Sequence, residues 1–234
     1  MTFVQAWTNS TPADPLTITI SPSANSFLIA HAITDAANAA DLNTTPSGWT
    51  QAFRSTVTTD NQVHQILYKV ADGTETSVVF DSTSGNTAIG CCLEFSSIDT
   101  TTPLDVTPVT FNSNTSNTTT TLPSTGSMTP VTDGCDIVFC QGQDNGNSDY
   151  TFTFSTVTGT TGAWTTRTDQ RSGFMNCAVG SCTQTTAGSF TAKVVSTSGG
   201  RSGIMFALRP SGGGGGGANL TPAVGSLGMM GVGL

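Results

Sequence analysis

The chain repeats itself, and the repeat limits what it can become. One half runs "SFLIAHAI", "SGWTQAFRS", "HQILYKVADGTETSVVFD" and "NTAIGCCLEFSSID"; the other runs "CDIVFCQG", "GAWTTRTDQRS", "NCAVGSCTQTTAGSFTAKVVS" and "RSGIMFALRP". In each, a buried strand leads through a long loop to a strand opened by Gly/Ala-Trp-Thr, then to a hairpin and an apolar closing strand. The first hairpin is expected over Val63 to Phe80, turning at Asp72-Gly73. Trp49 and Trp164 hold corresponding places, which predicts that each packs inside its own half. Two halves of four or five strands each build an all-β, antiparallel two-sheet β-sandwich of jelly-roll type.

Composition points the same way. Charged residues make up 9% of the chain, with Thr and Ser filling the polar positions. Thr is β-branched and favours extended backbone, and scarce Glu, Lys and Arg leave little to build a solvated helix face. "PLTITISP" alternates Leu16, Ile18 and Ile20 with polar residues, as a strand with one wet face does. "TDAANAADLN" reads as at most one or two helical turns in a loop, and "FNSNTSNTTTTLPSTG" as loop or edge strand. The expected layout is an N-terminal arm or edge strand at 1–15 and a sandwich at 16–209, with halves at about 16–105 and 122–209. A Gly-rich linker at 210–217 and an apolar, extended C-terminal tail at 218–234 follow.

The formal net charge is −8, and the two lysines and five arginines form no basic stripe. This disfavours nucleic acid and anionic membrane surfaces as partners. "MTFVQAWTNS" has neither a basic segment nor an apolar core of the export-signal kind. Glycines and Pro222 interrupt the last seventeen residues too often for a spanning helix. The six cysteines form no C-x-x-C pair, and free thiols are the default expectation. The alternative is a pairing of Cys135 or Cys140 with Cys177 or Cys182 if their strands are neighbours.

Catalytic patterns are weak. Glycoside hydrolysis needs two carboxylates facing each other across a sugar, yet Glu75 falls in a turn and Glu94 in mid-strand. There is no G-x-S-x-G elbow. His31 reads as a packing residue and His64 as an exposed strand residue, and their spacing suggests no zinc site. The neighbours Cys91 and Cys92 point to opposite faces of a strand and cannot jointly hold a metal. "Asp144-Asn145-Gly146-Asn147-Ser148-Asp149" clusters oxygen ligands, as Asp35 and Asp41 could elsewhere, but without the spacing of a calcium loop. Tyr150 could stack on a sugar, though Phe152 and Phe154 alternate beside it as strand residues do. The expectation is no catalytic residue, no metal and no cofactor.

"SFLIAHA", "PSGWTQAF", "ILYKVADGTET", "CLEFSSIDTTTPLD" and "IMFALRP" together resemble a β-sandwich domain that recurs in tailed-bacteriophage structural proteins and some bacterial surface proteins. Pro46, Gly48, Trp49, Thr50, Tyr68, Lys69 and the stretch from Asp99 to Asp105 meet that family's pattern; the six cysteines depart from it. The resemblance implies a non-enzymatic virion protein, assembled in the host cytoplasm. A capsid decoration or cement protein that bridges major capsid protein subunits on the outer shell fits best, with a tail-fibre or adhesin module that binds host glycans as the alternative. Its partners would be the major capsid protein and further copies of itself, as a dimer or trimer. The tail resembles one copy of a Gly/Ala/Leu/Val repeat that follows such domains. Hexaglycine has a typical span of about 12–15 Å and can carry the tail off the domain. Leu220, Val224, Leu227, Met229, Met230, Val232 and Leu234 are then the expected anchor, added as a strand to a partner's edge.

Overall fold

The apolar runs form strands whose neighbouring residues face opposite sides, and both sides are covered. The computed structural model describes residues 2–35, 41–57, 62–82, 84–113, 119–122, 127–144, 152–173, 175–195 and 201–212, none of them helical. The first half contains β1 (Thr2–Ala13), β2 (Leu16–Thr19), β3 (Phe27–Asp35), β4 (Thr50–Val57), β5 (Gln62–Val70), β6 (Ser77–Phe80) and β7 (Ala88–Ser96). The second contains β8 (Val109–Ser113), β9 (Thr119–Leu122), β10 (Asp136–Asp144), β11 (Thr153–Thr158), β12 (Thr165–Ser172), β13 (Met175–Thr183), β14 (Thr191–Val195) and β15 (Arg201–Leu208).

Two five-stranded antiparallel sheets, ordered β1-β7-β3-β5-β4 and β12-β13-β10-β15-β8, face each other. Their inner faces meet in one core, with Phe27, Ile29, Ile33, Leu93 and Phe95 from the first sheet and Val138, Val179, Ile204 and Phe206 from the second. The all-β antiparallel sandwich is thus as expected, but it has more layers than two. The small sheet β2-β6 covers the outer face of the first large sheet, burying Leu16, Ile18 and Phe80 against Leu28, Ala30 and Leu67. The small sheet β11-β14-β9 covers the second, burying Leu122, Phe154 and Val194 against Ile137, Phe139 and Met205. Phe27 and Leu28 therefore serve different cores although they are adjacent. β2 keeps the predicted single wet face, with Leu16 and Ile18 buried and Thr17 and Thr19 exposed.

The expected hairpins are replaced by crossings between layers. β5 and β6 do not pair: β5 lies between β3 and β4 in the large sheet, while β6 pairs with β2 in the small one. β13 and β14 part in the same way. The Asp72-Gly73 turn forms, with Gly73 at a φ of 85° and both amides donating to the Glu75 carboxylate. It steers the chain over the sheet edge instead of back along it.

The repeat is physical. Read within each half, the large sheets have the same order, with β1, β7, β3, β5 and β4 matched by β8, β15, β10, β13 and β12. β1 lies over β12 and β4 over β8, so a two-fold axis relates the halves approximately. Equivalent glycines mark the match. A Cβ built on Gly90 would lie 2.4 Å from the His31 carbonyl oxygen, and one on Gly203 would lie 2.4 Å from that of Cys140. Neither backbone can withdraw from its ladder without losing hydrogen bonds.

The connection between halves is clasped by the motif Asp99 to Asp105. Asp99 accepts from the Thr101 and Thr102 amides and so fixes a turn. The Asp105 side chain, 0% exposed, accepts from the Val131 amide (2.6 Å), the Thr132 hydroxyl (2.6 Å) and Arg209 Nε (3.0 Å). Burial alone would raise its pKa, but the bonds from Thr132, Val131 and Arg209 outweigh burial and hold it below the usual carboxylate value.

Two predictions follow from this build. G90A and G203A should each destabilise by about 1–3 kcal/mol in urea unfolding, because the added methyl meets backbone that cannot yield. D105N should cost about 1–3 kcal/mol at neutral pH by breaking a buried charge-assisted cluster. Because the folded-state pKa is depressed, the carboxylate's contribution is present above the unfolded value of about 3.9 and is lost as pH falls below it. The gap between D105N and wild type should therefore begin to narrow in unfolding curves below about pH 4 and close once pH has fallen through the lower folded-state value.

Candidate functional site

Chemistry-bearing side chains meet in the middle of the inner core. On β3, His31 stands directly opposite Cys91 of β7. On β5, His64 stands opposite Ile33, so it shares the inward face. Cys177 of β13 enters from the opposing sheet. One ring nitrogen of His31 and the two sulfurs of Cys91 and Cys177 lie within 4.8 Å of one another, all three residues buried. Gly142 of β10 makes the room: a Cβ there would lie 1.6 Å from Cε1 of His64.

A hydrogen-bond chain assigns the tautomers. The His64 Nε2 lies 2.5 Å from Oε1 of Gln62, an amide oxygen that can only accept. His64 therefore carries its proton on Nε2, and its Nδ1 accepts from Nε2 of His31 at 3.5 Å. That leaves His31 Nδ1 as a bare lone pair, buried and without a hydrogen-bond partner. Burial lowers the His31 pKa to about 3. Burial, then the neighbouring His31, push His64 well below its ordinary value. Both rings are neutral at physiological pH. The Cys177 thiol is pushed up by its hydrogen bond with Cys91 and then by burial. A catalytic cysteine needs the reverse, a thiolate favoured by positive surroundings, so this cluster is not arranged for nucleophilic attack.

The other expected site residues fall in different places. The anchor residues Leu220, Val224, Leu227, Met229, Met230, Val232 and Leu234 lie outside the described residues, as do Tyr150 and the run 145–149 of the oxygen-rich loop. Trp49 and Trp164 are half-buried and sit on the outer cores of their own halves. Trp49 has Lys69 Nζ 6.0 Å from its ring centre, and Trp164 stacks on Phe154 at 5.7 Å while donating from Nε1 to Thr156. His64, read as exposed, is fully buried because a second sheet covers β5. All six cysteines are buried free thiols. The ladder between β10 and β13 sets Cys140 opposite Val179, and Cys177 opposite Gly142, so no two cysteines face each other there.

Many carboxylates among the described residues are occupied in holding the chain together. Glu75 pairs with Lys69 at 2.5 Å, and Glu94 accepts from Gln5 and from the Ser23 amide. Asp41 accepts from Ser82, Ser84 and Asn86. Asp133 holds the Ala187 amide, and Asp136 the Thr183 hydroxyl.

No family model, curated protein or solved structure matches the chain. The resemblance to phage proteins rests on the turn and strand motifs of the sequence alone.

Sequence spacing hid the His31, Cys91 and Cys177 cluster because its members come from three strands in two halves. A small signal was present in Gly142, a glycine inside a strand between Gln141 and Gln143, which marks a close approach.

Burial pushes the Cys135 and Cys182 thiols up to about 12, and Cys140 is also raised. Native protein treated with a disulfide reagent should therefore release almost no colour in the first minutes. All six thiols should react at once in denaturant; fast reaction of any native thiol would contradict the buried arrangement.

Proposed function

We propose that this chain is a non-enzymatic structural protein of a tailed-phage virion, acting as a capsid decoration protein that ties neighbouring coat subunits together. The observation that carries the assembly part of this reading is β1. It bonds to β7 along one edge, and among the described residues no strand bonds to its other edge. From Thr2 to Ala13 it has no charged side chain. Natural sheet edges are commonly guarded by charges, bulges or proline. In β1 the register irregularities fall between Phe3 and Gln5 and between Asn9 and Ala13, and Pro12 lies within the second of them. The run from Gln5 to Asn9 between them is regular, and it offers backbone donors and acceptors to an added strand.

The occupied carboxylates support the non-enzymatic part. Moving one toward a substrate would release a turn, a clasp or a strand end. Attachment to the capsid and to further copies of the chain would then use the β1 edge and the apolar tail, many weak contacts adding across a repeating shell.

The test is binding to empty phage capsids, with capsid survival on heating as a second readout. Intact chain should bind and raise the heating midpoint. A chain ending at Ser211 should lose binding while keeping its unfolding transition, and T8K, which places a charge on the exposed edge, should weaken binding. If the intact chain leaves capsids unbound and no more heat-resistant, the proposal fails, and a glycan-binding screen tests the adhesin alternative.

A further inference from the structure

We infer that His31, Cys91 and Cys177 form a buried binding site for a soft divalent cation, with Zn²⁺ the best match. Three features of the inner core support this, and none depends on the virion reading. The first is the donor set: one imidazole nitrogen and two sulfurs, within 4.8 Å of one another, supply three of the four positions of a tetrahedral zinc site.

The second is the second shell. A ligating histidine characteristically donates its other ring N–H to a fixed acceptor, which settles the tautomer and aims the free lone pair. Here the acceptor is His64, and it is itself fixed by Gln62. The chain of two bonds leaves His31 Nδ1 unpartnered in a place where water cannot reach it. A buried lone pair left unmet costs free energy, and a metal ion meets it.

The third is charge. On binding, the Cys91 and Cys177 thiols each lose a proton to solvent and ligate as thiolates, while His31 binds neutral. A divalent cation with two thiolates has no net charge, which a buried, low-dielectric core tolerates. Cystine formation fits the place less well. Cys91 and Cys177 lie on facing sheets as free thiols joined by a hydrogen bond, and forming a cystine there would need an oxidant to reach a fully buried pair.

The approximate two-fold sharpens the assignment. Aligning "SFLIAHAI" with "CDIVFCQG" sets His31 against Cys140 and Ile33 against Gly142. The strand partners of Ile33 and Gly142 are His64 and Cys177. These corresponding positions thus carry two histidines in one half and two cysteines in the other, of which His31 and Cys177 belong to the site.

Because the site is closed, the ion must enter as the chain folds. The full chain would be refolded from denaturant under reducing conditions with Zn²⁺, passed through a desalting column and assayed for metal. One equivalent of zinc per chain is expected. C91A, C177A and H31Q should each retain under a tenth of an equivalent, while C92A and C182A, whose thiols lie on outer faces, should retain the full amount. If the ligand variants do not refold, zinc-edge X-ray absorption on the wild type decides alone: two sulfurs at about 2.3 Å and nitrogen at about 2.0–2.1 Å are expected. Less than a tenth of an equivalent in the wild type, a shell without sulfur, or full zinc in the folded C91A/C177A double variant would each overturn the inference.

Discussion

Everything in this molecule depends on two five-stranded sheets pressed face to face. Phe27, Phe95 and Tyr68 from one side meet Phe206 and Ile204 from the other, and this contact is made only when both halves are present. Each large sheet also needs its outer cover, because Leu28 and Leu67 in one and Phe139 and Met205 in the other point away from the central core. Three apolar layers are therefore stacked in series. Removing either half would expose an inner face of Phe, Ile and Leu far larger than a monomer normally tolerates. The halves are repeats by sequence and one folding unit by physics.

Polar groups are divided between the layers according to charge. Most carboxylates and cations work at the rims, where Asp105, Asp99 and Glu75 hold loops and the crossing between sheets, while Arg201 and Glu94 are fully buried within their strands. The cluster around His31 is built from groups that can be neutral, two imidazoles, thiols and an amide from Gln62. Such groups weaken a core relative to aliphatic side chains, yet they add direction, since an imidazole meets its partners at fixed angles. Gly142 shows how firmly the arrangement is set: a backbone position gives up its side chain so that His64 can lie flat against it.

Much of this could be read from the sequence. The strands at β3, β7, β10 and β15 stand out as apolar runs, β2 as an alternation and the repeat as paired motifs, because each signal is local or periodic. The four-layer build could not be read. A run such as Phe27 to Ile33 is apolar on both faces, and that pattern does not say which neighbour covers which face. The crossing at Asp72-Gly73 looks like a hairpin in sequence because the same tight turn serves both, and what distinguishes them is that β6 pairs with β2, far back in the chain. The burial of His64 is hidden for a related reason: exposure depends on a second sheet that no local pattern announces. The cluster around His31 needs the pairing of β3 with β7 and the facing of two sheets at once, and neither is written into any one segment.

The approximate two-fold has a consequence for how such an interior can change. Where two identical chains meet on an axis, every substitution there appears twice, and a side chain at the axis must be compatible with its own copy. A single chain holding both halves is released from that rule. Position 31 can be histidine while its counterpart 140 is cysteine, and position 33 can keep a full isoleucine while 142 is reduced to glycine. The centre of this protein has used that freedom, and its two sides have become donor and recess, complementary instead of alike.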